Sequence, residues 1–141
     1  MTNRWLVAVC LVIGCSSKPS RPAAITSDMA ETYDKYVSTL ESLANDLGAE
    51  GMTCGKAFGV VKDHATDIAS LVAFNGTTIK ETIAAGVKDA AARKWLTDSY
   101  GSRISSSASK IAMVTVLCKD EVAFKIALAT MMSKFPMLET K

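Results

Sequence analysis

Apolar residues recur along this chain at alternating steps of four and three, and this spacing constrains the fold more than any other feature. One stretch has them at Met29, Tyr33, Tyr36, Leu40, Leu43 and Leu47, and the next at Cys54, Phe58, Val61, Ala65, Ile68 and Val72. Such steps place side chains on one face of an α-helix, whereas a strand would need steps of two. A similar pattern continues over residues 91–118. The sequence therefore predicts an all-α protein in which each helix buries one stripe.

The first fourteen residues have the composition of an export signal. Arg4 supplies a positive start, and residues 5–13 carry no charge. Nine residues span only about 14 Å as a helix, roughly half of a bilayer core, so this segment is too short to cross a membrane. A charged start, a short apolar middle and a small residue at the end are typical of a signal peptide that is removed.

The residues Val12-Ile13-Gly14-Cys15 resemble the lipobox of bacterial lipoproteins. The resemblance implies that residues 1–14 are removed and that Cys15 then carries acyl chains, several of which together anchor a protein persistently. Ser16 after the cysteine favours, within this resemblance, the periplasmic face of an outer membrane. The alternative is an ordinary signal peptide that is cut at another site, with Cys15 left unmodified.

The remaining chain divides into three parts. We expect residues 15–27 to form a lipidated N-terminus and a flexible tether, because Pro19 and Pro22 lie among small polar residues that have little reason to pack. Residues 28–135 form one helical domain, and residues 136–141 form a tail. Once Arg4 is removed, basic side chains outnumber acidic ones by one. This near-neutral balance argues against nucleic acid as a partner.

Cys54 and Cys118 remain once the signal peptide is removed and Cys15 is acylated. In an oxidising compartment, an even pair is expected to form a disulfide. Closing a loop of about 65 residues should stabilise the fold by roughly 4 kcal/mol in the chain-entropy model. Two free thiols or a metal pair are the alternatives, and a metal site would need more ligands than the one histidine of this chain adds.

Capping residues and glycines set the expected helix boundaries. Asp28 with Glu31, and Thr78 with Glu81, have capping-box spacing, although Thr26 or Ser27 could also cap the first helix. Asn75-Gly76 is expected to end the second helix. The expected elements are a helix from 26–28 to 48, a helix over 53–74, a short helix or turn over 78–86, a helix over 90–118 and a last helix over 121–134.

Gly101 could either end a helix or lie inside one, and the disulfide decides between these possibilities. If Gly101 marked a reversal in a bundle of alternating helices, Cys54 and Cys118 would lie some 25–30 Å apart. A disulfide needs Cα atoms within about 7 Å. We therefore predict one helix over 90–118 and an antiparallel, up-down-up-down bundle of four helices with one disulfide.

The chain also loosely resembles a group of small two-cysteine helical lipoproteins of Gram-negative bacteria. The shared features stand here as Cys54, Lys62-Asp63-His64-Ala65, Tyr100 with Arg103, and Cys118-Lys119-Asp120-Glu121. The function of that group is unknown, so the resemblance implies no activity, substrate or cofactor for this chain.

The sequence contains no evident catalytic or metal-binding constellation. His64 lies between Val61 and Ile68, and it could ligate a haem iron with a methionine as second ligand. A half-buried or surface histidine is the simpler interpretation. Methionines on apolar stripes are more typical of core packing than of copper binding. We therefore expect no enzyme, no cofactor and no metal.

Two functions compete at this point. The first is a non-catalytic, lipid-anchored envelope protein that binds another periplasmic protein or stabilises an assembly. The last helix is apolar nearly all round, so we expect it to pack in the groove of the other helices, and its apolar surface also permits a partner contact through Phe124, Leu128 and Met131. The alternative is a bundle that binds b-type haem or another small ligand and uses His64.

Overall fold

The computed structural model describes residues 19–135, and within this range the protein is helical throughout, with no β-strand. The helices are α1 (Ser27–Leu47), α2 (Cys54–Lys88), α3 (Ala90–Leu117) and α4 (Val122–Met132). The all-α prediction is confirmed. Cys15, the expected signal peptide over residues 1–14 and the tail over 136–141 lie outside the described residues.

Helix α1 begins and ends where the sequence predicted. Thr26 is its N-cap, and the Thr26 hydroxyl accepts a hydrogen bond of 3.2 Å from the backbone N–H of Met29. Asp28 is therefore not the cap. The backbone N–H of Gly48 donates to the Ala44 carbonyl at the other end. The predicted stripe from Tyr33 to Leu47 is buried, as expected for a helix that faces the core.

Helix α2 is longer than predicted. Asn75-Gly76 was expected to stop it and residues 78–86 to form a separate piece, but one helix runs over Cys54–Lys88. Gly76, Ile79 and Thr82 are all buried, so the inward-facing stripe continues past the glycine. Burial of this stripe outweighs the helix penalty of about 1 kcal/mol that a glycine carries. The prediction of a short helix or turn at 78–86 is therefore wrong.

A single residue, Asp89, separates α2 from α3 and caps both. Its N–H donates to the Ala85 carbonyl, and its Oδ1 accepts a hydrogen bond of 2.6 Å from the Ala92 N–H. Arg93 donates from Nε to the Gly86 carbonyl at 3.0 Å and from Nη2 to the Val87 carbonyl at 2.7 Å. These bonds satisfy carbonyls that the end of a helix leaves without partners.

Helix α3 is continuous through Gly101, as the disulfide argument predicted. Cys118 is its C-cap, and Cys54 is the first residue of α2. Their Cα atoms are 5.5 Å apart, and the two sulfurs are bonded. The predicted Cys54–Cys118 disulfide is confirmed, and it joins the start of α2 to the end of α3.

The core lies where the helices meet in this helical bundle. Helix α1 packs against both α2 and α3, and α2 also contacts α3 and α4. The first half of α2 contributes Ala57 and Val61 to the same cluster as Leu43 and Leu47 of α1. Helix α4 has eleven residues, so it covers only part of the longer helices. Its N-cap is Glu121, which makes no side-chain capping bond.

The segment that precedes α1 is packed against the domain. Ile25 is 1% exposed, and its N–H donates to the Pro22 carbonyl at 3.0 Å to close a turn. Trp95 of α3 donates from Nε1 to the Pro19 carbonyl at 3.0 Å. Residues 19–26 of the expected tether therefore include one buried side chain and one contact to α3, because Ile25 brings apolar surface into an otherwise polar segment.

Candidate functional site

His64 is engaged in a contact within the protein. Its Nε2 lies 2.6 Å from Oδ2 of Asp46, and this pair links α2 to the last turn of α1. The histidine side chain is 13% exposed. Nε2 is an atom through which a histidine can bind iron, and here Asp46 already occupies it. Within residues 19–135, no group of three or more His, Cys, Asp or Glu side chains is arranged to hold a metal ion.

The residues expected to contact a partner lie in the core. Phe124, Leu128 and Met131 are 1%, 8% and 2% exposed, so no partner can reach them in the folded domain. Val122 and Ile126 lie on the outer face of α4 and are mostly exposed. Because α4 is apolar nearly all round, its sequence could not indicate which face packs inward. The three expected contact residues therefore face inward, and Val122 and Ile126 form the outward face of α4.

Exposed apolar side chains are concentrated in the sequence on either side of Cys118, in the last turns of α3 and the first turns of α4. Five large ones are between 58% and 73% exposed, and we call them the α3–α4 surface: Met113, Val116, Leu117, Val122 and Ile126. The spacing places the three α3 residues on one helix face and the two α4 residues on another. The turn between the helices is closed by a hydrogen bond of 3.0 Å from the Glu121 N–H to the Cys118 carbonyl.

Arg103 forms a polar cluster between α3 and α1. It bonds Glu41 twice, from Nε to Oε1 at 2.9 Å and from Nη2 to Oε2 at 2.6 Å, and its Nη1 donates to Asp34 Oδ1 at 2.8 Å. Nη2 also donates to the Ser38 hydroxyl at 3.1 Å. Such bidentate, charge-assisted bonds are the strong ones among protein hydrogen bonds.

The electrostatics of this cluster indicate a structural role. The hydrogen bonds from Arg103 lower the pKa of Glu41, and those to Glu41 and Asp34 raise the pKa of the Arg103 guanidinium. Both groups therefore keep their charges at neutral pH. The sequence analysis noted Tyr100 and Arg103 only within a resemblance, and the acceptors on α1 gave no recognisable signal because they lie more than sixty residues away.

Aromatic side chains fill the space between α1 and α3. Tyr33 and Tyr100 have ring centroids 5.2 Å apart, and Tyr100 and Trp95 have centroids 5.6 Å apart. Burial raises the pKa of Tyr36 to about 12 and also raises the pKa of Tyr33. These two phenols therefore stay protonated at neutral pH.

Two apolar cavities lie along α1 and α3. The first, which we call the Arg93 cavity, has a volume of about 410 Å³ and is lined mainly by Ile83, Gly86, Leu96, Gly101, Ile104 and Arg93. The second, the Phe135 cavity, has a volume of about 550 Å³ and is lined mainly by Tyr36, Leu40, Ile104, Ile111, Met132 and Phe135. Ile104 contacts both. Each volume falls within the range of roughly 300–1,000 Å³ that is typical of small-molecule sites.

No helix within residues 19–135 is both long enough and apolar enough to cross a membrane. Comparisons of the whole chain with protein-family models, with curated proteins and with solved structures find no match.

Proposed function

We propose that this chain is an exported, lipid-anchored protein of the cell envelope that binds another envelope protein and has no catalytic role. The observation that carries the proposal is the α3–α4 surface, where five large apolar side chains are more than half exposed. Single exposed apolar residues are ordinary on soluble proteins, but a group of them favours an interaction site.

The anchor in this proposal is an acylated Cys15 at the periplasmic face of an outer membrane. The lipobox-like residues support it, and the Cys54–Cys118 disulfide fits an oxidising compartment. Pro19 contacts Trp95 near the start of α3. Four residues from Cys15 to Pro19 span at most about 14 Å. The end of the domain near the α2–α3 turn would therefore stay close to the bilayer.

We further propose an up-down-up-down arrangement of the four helices. Two contacts between α1 and α3 support a common direction for these helices, because Tyr100 bonds Ala30 and Lys110 bonds Asn45. Trp95 and Leu117 lie near the two ends of α3, and the rise of an α-helix places them about 33 Å apart along its axis. In this arrangement the anchored end and the α3–α4 surface lie at opposite ends of the domain, and the apolar surface faces away from the membrane.

Mass spectrometry of the intact native protein tests the anchor. We expect a chain that starts at Cys15, carries the mass of added acyl groups and gains a pair of hydrogens on reduction of the disulfide. A chain that keeps residues 1–14, or one that starts at Cys15 without acyl groups, would contradict this part of the proposal.

Crosslinking in intact envelopes tests the partner surface. A double variant with Val122→Asp and Ile126→Asp should lose a crosslinked partner that the unaltered chain retains, because the charges disrupt an apolar contact without entering the core. Val87→Asp is the matched control, since Val87 is exposed to a similar extent but lies beside the α2–α3 turn. Equal crosslinking by both variants would contradict the proposed surface.

A further inference from the structure

We propose that the Arg93 cavity binds the acyl chain of an anionic, single-chain amphiphile such as a long-chain fatty acid. This proposal goes beyond protein binding and does not depend on it.

Within residues 19–135, no residue of α4 lines the Arg93 cavity. Helix α4 ends at Met132, whereas α2 continues to Lys88 beside the first half of α3. The Arg93 cavity lies between Tyr33 of α1, the last turns of α2 and residues 93–105 of α3, which correspond to about 18 Å of helix. Ile104 links it to the Phe135 cavity. An elongated apolar ligand fits a groove of this length better than a compact one.

The lining is apolar and carries one charge. Among residues 19–135, no acidic side chain lines either cavity, and Arg93 is the only charged residue in contact with them. Its Nε and Nη2 donate to the Gly86 and Val87 carbonyls, and these two residues also line the cavity, so the bonds hold the exposed Arg93 side chain beside it. The third guanidinium nitrogen of Arg93, Nη1, takes part in neither of these two hydrogen bonds, so it can donate to a carboxylate. Charge complementarity therefore favours an anionic head group.

Fluorescence of cis-parinarate, a fatty acid that brightens when it leaves water, measures the binding. The full chain is used with Cys15→Ser, which removes the acylation site and leaves residues 19–135 unchanged. We expect a saturable rise in fluorescence that laurate reverses. Absence of binding in this variant would overturn the cavity proposal without bearing on acylation, which is read from the mass of the native protein.

Filling the cavity should abolish the binding. A Cβ at Gly101 would meet only Thr97 Cγ2, at 3.5 Å, so Gly101→Leu can be accommodated in α3 while its side chain occupies the cavity. We expect this variant to bind cis-parinarate at least tenfold more weakly. Gly59→Leu is the matched control, because it adds the same side chain to a helix at a position with no neighbour within 4 Å. Unchanged binding by Gly101→Leu, with an unaltered melting curve, would overturn the proposal.

Ligand variants test the chemical class. Laurate should bind at least tenfold more tightly than dodecylamine, which has the same chain length and the opposite charge, and affinity should rise roughly 15-fold for each two added methylenes. Displacement by laurate alone identifies a fatty acid, and displacement by lysophosphatidylglycerol as well identifies an anionic lipid; both support the class. Equal binding of dodecylamine would overturn it. The proposal would also be overturned if sedimentation showed a dimer that Gly101→Leu dissociates, because a second copy of the chain would then fill the groove.

Discussion

At the scale of single residues, Arg103 is the side chain that joins α1 to α3 most directly. Its guanidinium reaches Glu41, Asp34 and Ser38, and the guanidinium carbon lies over the Tyr100 ring, 5.6 Å from the ring centroid. Exposed ion pairs contribute little to stability in general. A bidentate contact in a network is the exception, so Arg103 should matter more than other charges on the surface.

We expect Arg103→Met to lower the free energy of unfolding by about 1–2 kcal/mol, because it leaves Glu41 and Asp34 without their donor. Urea unfolding followed by circular dichroism measures the change. Lys94→Met is the matched control, since Lys94 pairs with Asp98 one turn away on the same exposed helix face. The Lys94–Asp98 pair should contribute less than about 0.5 kcal/mol to the free energy of unfolding. Equal losses in the two variants would contradict a special role for Arg103.

Acid should weaken the same contact. The hydrogen bonds from Arg103 hold the pKa of Glu41 below its ordinary value of 4.5. A carboxyl with a lowered pKa in the folded state stabilises the fold above the unfolded pKa, and this stabilisation is lost as the pH falls through the folded value. We therefore expect Glu41→Gln to reduce the difference in urea midpoint between pH 7 and pH 3. An unchanged difference would show that Glu41 does not contribute to acid sensitivity.

At the scale of helices, the sequence predicted α1 and α3 well, and it predicted α2 and α4 only in part. Thr26, Gly48 and the stripe between them defined α1, and the disulfide argument defined α3 through Gly101. The end of α2 could not be predicted, because Asn75-Gly76 is a stop signal only where no buried stripe continues beyond it. The inner face of α4 could not be predicted either, since apolar residues surround the helix and only contact with α2 selects a face.

Two glycines of α2 should respond differently to alanine. A Cβ at Gly76 would meet only Val72 Cγ1, at 3.4 Å, so Gly76→Ala should stabilise the protein by up to about 1 kcal/mol through helix propensity. A Cβ at Gly86 would lie 2.8 Å from Leu96 Cδ1, which must move. We expect Gly86→Ala to be less stable than Gly76→Ala by roughly 1 kcal/mol or more. Thermal unfolding of both variants measures the difference, and equal melting temperatures would contradict it.

At the scale of the whole molecule, the disulfide connects residues that are 64 apart in sequence. It links the start of α2 to the turn before α4, so it supports the end of the domain that carries the α3–α4 surface. The sequence predicted this bond from the cysteine count and the expected compartment. It could not predict the Arg93 cavity, because a cavity depends on where α4 ends relative to α2 and α3, and no local pattern encodes that relation.

We expect the double variant Cys54→Ser and Cys118→Ser to lose roughly 2–4 kcal/mol of stability, since the open chain gains entropy when it unfolds. Urea unfolding of the oxidised protein, the reduced protein and this variant measures the loss. The reduced protein should match the variant. A reduced protein that unfolds at the same urea concentration as the oxidised one would show that the helices hold this end together without the bond.

The contacts of Pro19 with Trp95 and the burial of Ile25 have a consequence for how the protein can meet others. If Cys15 carries the lipid, the segment between Cys15 and Pro19 is too short to let the domain tilt far toward the membrane or move across a wide area of it. In the proposed arrangement, the apolar α3–α4 surface would lie about 33 Å farther from the membrane than the anchored end of the domain. The α3–α4 surface would then meet partners only within a thin layer at that distance from the membrane. A partner anchored in the same bilayer would have to extend to that distance to bind it.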